Sequence, residues 1–352
     1  SDIKDPSAHF QNALYTGNSN YNTITNDGNS DLGPDLIWGK CRSTTKTHYV
    51  YDSTRGVEKR LEPDNNGSED SNTNGVLNFY TDGFRLGSGN TENDNGEGYV
   101  AWQWKGNGGT TASNTDGDIT TTVQANTTAG FSIVTYNPGS GQSPSAINIG
   151  HGLGATPGLI IVRNRTRVEN WRLWHHSIGA GGAILDNTSA YNSSTSTLIN
   201  TVNSTIFNVG TDFSVNGGYP IVAYCWAEKQ GYSSFGTYTG NANTDGPFVY
   251  TGFKPAWIMI KNVANAGWNW ALMDSGRTPT NENGTYEWLW PDLSGAEFTD
   301  GDSGINMECD FFSNGFKIQT SRNELNQVGQ KFIYMCFAES PFVSNGVPTT
   351  AR

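Results

Sequence analysis

Apolar residues along this chain fall into short runs, and clusters rich in Gly, Asn, Asp and Ser separate those runs. Residues 131–136 roughly alternate apolar and polar side chains, as a strand with one buried face does. Residues 159–162 are continuously apolar, which is typical of a strand buried on both faces. Neither a heptad pattern nor a sustained period of 3.6 residues indicates a long helix. The pattern therefore predicts an all-β protein with long polar loops.

Three landmarks occur in the same order three times along the chain. Each copy opens on a tyrosine motif, continues with a proline-led apolar strand and closes on an aromatic-rich strand. The opening tyrosines are Tyr15, Tyr136 and Tyr238, the prolines are Pro34, Pro157 and Pro255, and the closing strands cover residues 99–104, 221–228 and 332–339. Copies of roughly a hundred residues suit small domains better than solenoid repeats.

The repeats predict three tandem β-sandwich domains of jelly-roll or lectin-like type, because strands with one apolar face need a facing sheet. The predicted boundaries are an N-terminal arm at residues 1–12 and units at residues 13–120, 121–231 and 232–352. These units are called the first, second and third segments below. Phe10 would be exposed on a free arm, so the arm is a candidate for docking to a partner.

Composition narrows the function classes. Eleven Trp, fifteen Tyr and sixteen Phe argue against disorder, although hydrophobic residues make up only 35 % of the chain. The formal net charge of −12 disfavours binding to nucleic acid phosphates. No apolar run is long enough for a membrane-spanning helix. We therefore expect neither a nucleic acid partner nor a membrane.

The cysteines and histidines do not predict a metal site. The four cysteines, at positions 41, 225, 309 and 336, form no C-x-x-C pair and are expected to be buried free thiols. His175 and His176 are adjacent, so on a strand their rings point to opposite sides. The acidic loops 93–97 and 300–302 lack the EF-hand pattern and are interpreted as solvated turns, although calcium is the cation they would favour. No cofactor is predicted.

An Asp-Ser-x-Arg motif occurs twice, and it is the strongest candidate for chemistry in the sequence. It places Asp52 near Arg55 and Asp274 near Arg277, whereas the second segment has His175-His176-Ser177-Ile178 at that place. A catalytic constellation is rarely duplicated within one chain, but a scaffold feature must be. We therefore interpret the motif as structural ion pairs, with a binding or catalytic role as the alternative.

No catalytic residue is predicted. Glu228 and Glu339 end equivalent strands of different segments, so they are not expected to converge as a glycosidase pair. No nucleophile elbow or phosphate-binding loop is present. Tyr191, Tyr286 and Trp288 lie in loops and could stack on sugar rings if they are exposed, the alternative being that they fill sandwich cores.

Several strings resemble a family of repeat-containing virion proteins of marine tailed bacteriophages. They cover residues 151–154, 231–241, 245–257 and the end of the chain from Cys336 to Arg352. Members of that family look like tail-fibre proteins, and some are similar to SPRY or lectin-type sandwiches. The resemblance implies a protein on the virion surface that is assembled in the host cytoplasm. It supplies no catalytic residues.

These observations lead to one hypothesis and two alternatives. The first is a non-enzymatic, tail-fibre-like or surface-exposed virion protein that binds a host-surface glycan or other virion proteins. The alternatives are a capsid decoration or fibre-shaft protein without a ligand, and a tailspike-type glycan hydrolase in which two carboxylates of one segment meet in a cleft. A homo-oligomer is expected, with a trimer as the first guess from the resemblance to phage fibres.

Overall fold

The structure is a computed structural model of the 352-residue chain. It describes residues 3–139, 144–194, 196–279, 281, 286–299, 306–341, 343–344 and 347–348. The described chain is all-β, with antiparallel strands and three very short helices. The all-β class predicted from the sequence is therefore confirmed.

The elements of the first segment follow a 3₁₀ turn at Pro6–Ala8. They are β1 (Phe10–Thr16), β2 (Asn22–Ile24), β3 (Leu36–Cys41), β4 (Tyr49–Asp52), β5 (Lys59–Arg60), β6 (Asp70–Ser71), β7 (Val76–Phe79), β8 (Phe84–Leu86), α1 (Asn90–Asn93) and β9 (Gly98–Trp104).

The second segment is built from strands alone in its described part. They are β10 (Ala112–Asn114), β11 (Thr121–Asn126), β12 (Phe131–Tyr136), β13 (Ile147–Gly150), β14 (Leu159–Asn164), β15 (Arg172–His175), β16 (Ala183–Ile184), β17 (Ile199–Val202), β18 (Ile206–Val209) and β19 (Ile221–Trp226). Strand β10 joins the sheet of this segment although it lies before the predicted boundary at residue 120.

The third segment again includes a short helix. Its elements are β20 (Ser233–Thr239), β21 (Phe248–Tyr250), β22 (Phe253–Asn262), β23 (Ala271–Asp274), β24 (Glu287–Trp288), β25 (Phe298–Thr299), β26 (Cys309–Phe312), β27 (Gly315–Ile318), α2 (Asn323–Asn326), β28 (Lys331–Pro341), β29 (Val343–Ser344) and β30 (Val347–Pro348).

The three segments share one strand order. Their larger sheets contain β1-β9-β3-β4, β12-β19-β14-β15 and β20-β28-β22-β23, and the smaller sheets are β2-β8-β7, β13-β18-β17 and β21-β27-β26. In the second segment β10, β11 and β16 extend the larger sheet. The landmarks seen in the sequence thus mark equivalent strands: the opening tyrosines lie on the first strand, and the closing aromatic strand is central in each sheet.

Pairing registers define which residues are equivalent between segments. The closing strand pairs Leu36 with Trp104, Leu159 with Trp226 and Trp257 with Phe337. On the other side, the same three residues pair with Asp52, His175 and Asp274. The residues in each triplet therefore occupy one position of the fold, and the comparisons below rest on this register.

One hydrophobic cluster contains residues from all three segments. Trp104, Trp226 and Phe337, from equivalent positions, form its centre. Their ring centroids lie 6.0 Å apart for the two tryptophans, and Phe337 lies 5.5 Å from Trp104 and 6.4 Å from Trp226. Each segment also has its own cluster around the outward face of its larger sheet. The larger sheets therefore use one face for the neighbouring segments and the other for their own segment.

The expectation of an exposed Phe10 on a free arm is wrong. Phe10 begins β1, is 2 % exposed and stacks on Phe337 with ring centroids 5.3 Å apart. Strand β1 pairs with β9 along its whole length, which brings this aromatic ring into the shared core. The start of the described chain is thus part of the packed structure.

Candidate functional site at the segment junctions

The structure contains both predicted ion pairs, and all four side chains are fully buried. In each pair the arginine Nε donates to Oδ2 of the aspartate, and the arginine backbone N–H donates to Oδ1. The Oδ1 bonds are 2.7 Å at Asp52 and 2.9 Å at Asp274. The turn after β4 and after β23 is therefore closed by the motif itself, as the structural interpretation requires.

The pair in the first segment faces the second segment. The Tyr224 hydroxyl donates to Asp52 Oδ2 at 2.7 Å, although the two residues belong to different segments. Arg55 also binds Glu69 at 2.8 Å, and Glu69 binds Arg165 of the second segment at 2.8 Å. Burial alone would lower the pKa of Arg55, but Asp52, Tyr224 and Glu69 together outweigh burial and raise it above its ordinary value.

The pair in the third segment faces the first segment in the same way. The Trp102 indole N–H donates to Asp274 Oδ2 at 3.0 Å. Arg277 binds Glu297 at 2.8 Å, and Glu297 binds Arg42 of the first segment at 2.7 Å. Trp102 occupies the position of Tyr224 in its closing strand. The two junctions therefore share the aspartate, the two arginines and the glutamate of one network, and the donor from the closing strand differs between them.

The second segment contacts the third through apolar and neutral groups at the same positions. His175 replaces the aspartate, and its Nε2 lies 3.1 Å from the Tyr334 carbonyl oxygen. Ile178 takes the place of the arginine. Met335, which has no N–H or O–H to donate, takes the place of Tyr224 and Trp102. Since no donor is present, no carboxylate is needed, which explains why the motif is missing here.

The glutamate and the second arginine of the network are replaced as well. Glu69 donates its backbone N–H to the Arg165 carbonyl, and Glu297 donates to the Arg42 carbonyl. At the remaining junction the equivalent backbone bond runs from Tyr191 to Val263 at 3.1 Å. Tyr191 is only partly buried and packs against the shared hydrophobic cluster. The substitutions therefore form a matched set rather than isolated changes.

A further hydrogen bond at each junction shows that the three segments form a closed ring. The bond joins a side chain that precedes β4, β15 or β23 to a backbone carbonyl of the preceding segment. The three bonds run from Trp171 to Glu62 at 2.8 Å, from Trp270 to Ile184 at 2.9 Å and from His48 to Trp290 at 3.1 Å. Equivalent surfaces thus join the first segment to the second, the second to the third and the third to the first.

A carboxylate that is fully or partly buried lies behind each of these junction residues. It accepts the backbone N–H of His48, Trp171 or Trp270. Burial raises the pKa of these groups to about 7 at Asp64, about 6 at Asp186 and about 7 at Asp292. Burial likewise lowers the pKa of the cations beside them, to about 8 at Lys40, about 10 at Arg163 and about 8 at Lys261. The junctions therefore contain ionisable groups whose charge is costly.

The aromatic residues predicted to bind glycan are not exposed. Trp288 is fully buried in the third segment's core, and Tyr286 is 4 % exposed with its hydroxyl donating to Asp310. Tyr191 lies at the junction described above. The expectation that Trp288 and Tyr286 are exposed is wrong, and the alternative that they fill a core is correct for these two residues. The structure offers no free ring face at Trp288 or Tyr286 for a sugar.

Glu228 and Glu339 have separate structural contacts. Glu228 accepts the backbone N–H of Phe235, and Glu339 binds Lys254 at 2.7 Å on the surface. All four cysteines are buried free thiols, as predicted. In the described part of the chain no cluster of His, Cys, Asp and Glu could hold a metal ion. The acidic loop 300–302 lies outside the described residues.

The sequence interpretation missed the second layer of the network. Glu69, Glu297, Arg42 and Arg165 lie in loops of unequal length and share no obvious motif. One signal was present: Arg42 and Arg165 stand at the same distance after the prolines that lead β3 and β14, and Val263 stands there in the third segment. The residue type at this position, arginine or valine, therefore distinguishes the two ionic junctions from the apolar one.

Comparison with known proteins gives one match. A domain of unknown function, DUF7483, matches residues 5–341. No curated protein and no solved structure matches the chain. Among the described residues no helix is long and apolar enough to cross a membrane.

Proposed function

The chain belongs to the DUF7483 family, and we propose that it is a non-enzymatic structural protein of a tailed-bacteriophage virion. In this proposal it is tail-fibre-like or otherwise exposed on the particle surface, and it binds other virion proteins or a host-surface glycan. Each segment would be a β-sandwich domain of jelly-roll or lectin-like type. The resemblance of the sequence strings to phage virion proteins supports the location.

The observation that carries the proposal is the closed ring of segments around one aromatic core. The most conspicuous polar motif of the chain, Asp-Ser-x-Arg, is buried between segments at two junctions and is replaced by His175 and Ile178 at the third. Evolution of a catalytic site would leave such groups accessible to a substrate, whereas here they are fully buried. A shape held by buried networks suits a part that must stay rigid within an assembly.

The same ring bears on assembly. Three equivalent segments about one core give a single chain an approximate three-fold arrangement, which is the symmetry expected of fibre proteins from the resemblance. We propose that copies of the chain associate further into a homo-oligomer, with the trimer as first guess. A capsid decoration or fibre-shaft protein without ligand is the alternative that keeps this scaffold role.

The test is to locate the chain on particles. Purified virions, probed by mass spectrometry and by cryo-electron microscopy, should contain the chain as repeated density on the surface. Light scattering on the isolated chain would give its oligomeric state. Finding the chain only in the soluble fraction of infected cells, and not in purified particles, would overturn the proposal.

A further inference from the structure

At one position of the fold, the first segment has a buried carboxylate and the other two segments have a buried aliphatic side chain. The opening tyrosine of each segment donates its hydroxyl hydrogen to the backbone carbonyl of one residue. The three residues are equivalent, and each follows the last strand of the smaller sheet. Those three residues are Glu92, Val215 and Leu325. All three side chains are fully buried. Two segments therefore have an aliphatic side chain at this buried position, and the first segment has a carboxylate.

The partner of Glu92 changes together with it. Arg60 binds Glu92 at 3.2 Å. Leu61, the residue after Arg60, forms a β-bridge with Val50. At the equivalent strand position, Ala183 pairs in the second segment and Leu289 pairs in the third, so the residue before Leu289 corresponds to Arg60. The third segment accordingly has Trp288, fully buried in its core, at the position of Arg60. An ion pair in the first segment thus stands where Leu325 and Trp288 provide apolar packing in the third.

The ion pair borders an open cavity of about 380 Å³. Its lining is polar and includes Arg60, Asp70, Asn72, Ser88, Asn90 and Glu92. Among the described residues, the side chains of Ser88 and Asn90 have no hydrogen-bond partner, and both are exposed. The cavity therefore has a charged floor and a rim of free hydroxyl and amide groups.

One oxygen of the Glu92 carboxylate is left without a partner. Oε1 accepts from Tyr51 at 2.8 Å, from Asn72 at 2.9 Å and from Arg60. Oε2 is buried and accepts no hydrogen bond from the described residues. It lies beside Gly89, where a Cβ would come within 2.6 Å of it. A side chain at position 89 would therefore crowd this acceptor.

Retaining this arrangement is costly. Burial raises the pKa of Glu92, and the Arg60 charge and the Tyr51 hydroxyl only partly offset that effect. An unsatisfied buried acceptor is also unfavourable, and the third segment shows that leucine serves the fold at this position. A costly polar group at a position where the fold accepts an aliphatic one points to a ligand.

The lining limits the chemical class of that ligand. A metal ion is disfavoured because Arg60 occupies the floor and the described residues contain no metal-binding cluster. An anion is disfavoured because Asp70 and Glu92 both face the single cation among the described lining residues. The floor and rim offer carboxylate, guanidinium, amide and hydroxyl groups. They suit a ligand with adjacent hydroxyl groups, because each hydroxyl can both donate and accept a hydrogen bond.

We propose that this cavity of the first segment binds a neutral saccharide residue, with Glu92 accepting from one of its hydroxyl groups. This assignment deepens the function proposed above, since it names a ligand class and a site for a surface-exposed protein. It rests on that proposal only for the source of the saccharide, a host-surface glycan. It also replaces the three loop aromatics as the candidate glycan site.

The test is saturation-transfer NMR on the full chain. The probes are glucose, galactose, mannose, N-acetylglucosamine and their disaccharides at millimolar concentration. At least one should bind the wild type, and Glu92→Leu, which copies the third segment, should weaken binding about tenfold or more, as expected for one lost hydrogen bond to a charged group. Asn90→Ala, an exposed rim change that leaves the core intact, should weaken binding as well.

Glu324→Leu is the matched control. Glu324 lies on α2, the helix of the third segment that corresponds to α1, so the same charge is removed away from the cavity. Binding should be unchanged in this variant. The proposal fails if no saccharide binds the wild type, if both Glu92→Leu and Asn90→Ala bind like the wild type, or if the wild type hydrolyses a disaccharide and Glu92→Leu does not. Chains found on particles that bind no saccharide would remove the site while leaving the proposed virion role intact.

Discussion

At the scale of single residues, the buried aspartates of the two ionic junctions have their hydrogen bonds completed by another segment. Asp274 accepts from Arg277 of its own segment and from Trp102 of the first segment. Asp52 does the same with Arg55 and Tyr224. These carboxylates therefore report on the junction as well as on the local turn, and a substitution there should be felt by two segments.

Asp274→Asn should lower the free energy of unfolding by about 3 kcal/mol, because it leaves the buried Arg277 without one of its countercharges. Denaturant titration measures this loss. Glu339→Gln is the control, since it removes the exposed partner of Lys254 and should change stability by less than about 1 kcal/mol. Equal effects of the two substitutions would contradict the junction role of Asp274.

His175 gives the apolar junction a dependence on pH. Burial lowers its pKa from 6.5 to about 3, and its Nδ1 accepts the Ser177 backbone N–H while Nε2 faces the Tyr334 carbonyl, as in a neutral ring. The unfolded chain takes up a proton at this imidazole near pH 6.5, whereas the folded chain does not until much lower pH. The stability that the neutral ring contributes is therefore present above pH 6.5 and is lost as pH falls toward 3.

Unfolding titrations between pH 7 and pH 4 would measure this effect. His175→Gln should flatten the decline in stability by up to about 1.4 kcal/mol per pH unit, because it removes the proton uptake of the unfolded state. A wild-type slope in the His175 variant would show that this imidazole does not carry the dependence.

At the scale of elements, strand β1 connects the start of the described chain to the shared core. Phe10→Ala should cost about 3–5 kcal/mol, since the ring is buried against Trp104 and Phe337. Leu14→Ala on the same strand removes a side chain that is 46 % exposed and should cost much less. Thermal or denaturant unfolding compares the two. Similar losses would mean that β1 contributes only by backbone pairing.

The repeated elements could be predicted from the sequence because they obey local rules. The opening tyrosine, the proline-led strand and the closing strand recur with the same alternation of apolar residues, and the structure places them in equivalent positions. The Asp-Ser-x-Arg pairs were also visible, since both partners lie within four residues. Contacts between segments follow no such local pattern, so the role of Tyr224 as a donor to Asp52 could not be foreseen.

Glu92 illustrates why the candidate site was missed. In the sequence it stands in an Asn-, Asp- and Gly-rich stretch, which has the composition of a solvated turn. The hydrogen bonds of the opening tyrosines show that Glu92, Val215 and Leu325 are equivalent, although the preceding loops differ in length. The predicted glycan aromatics Tyr286 and Trp288 failed for the same reason: a polar sequence around them concealed side chains that are buried.

At the scale of the whole molecule, the ring decides how far the segments depend on one another. The shared cluster joins Trp102 of the first segment, Tyr224 of the second and Met335 of the third. A segment folded alone would expose its part of this cluster. It would also expose the junction residues, which are an Asp–Arg ion pair in the first and third segments and His175 with Ile178 in the second. The three segments are therefore expected to share stability even if each has its own smaller core.

Phe337 is the residue through which this expectation can be tested. It is fully buried and its ring contacts aromatic rings of all three segments, among them Phe10, Trp104 and Trp226. Phe337→Ala should cost about 3–5 kcal/mol. Hydrogen exchange should then show faster exchange in β9 and β19 as well as in β28, and calorimetry of the wild type should show a single transition. Separate transitions, or a loss of protection confined to the third segment, would show that the ring is an arrangement of independently stable parts.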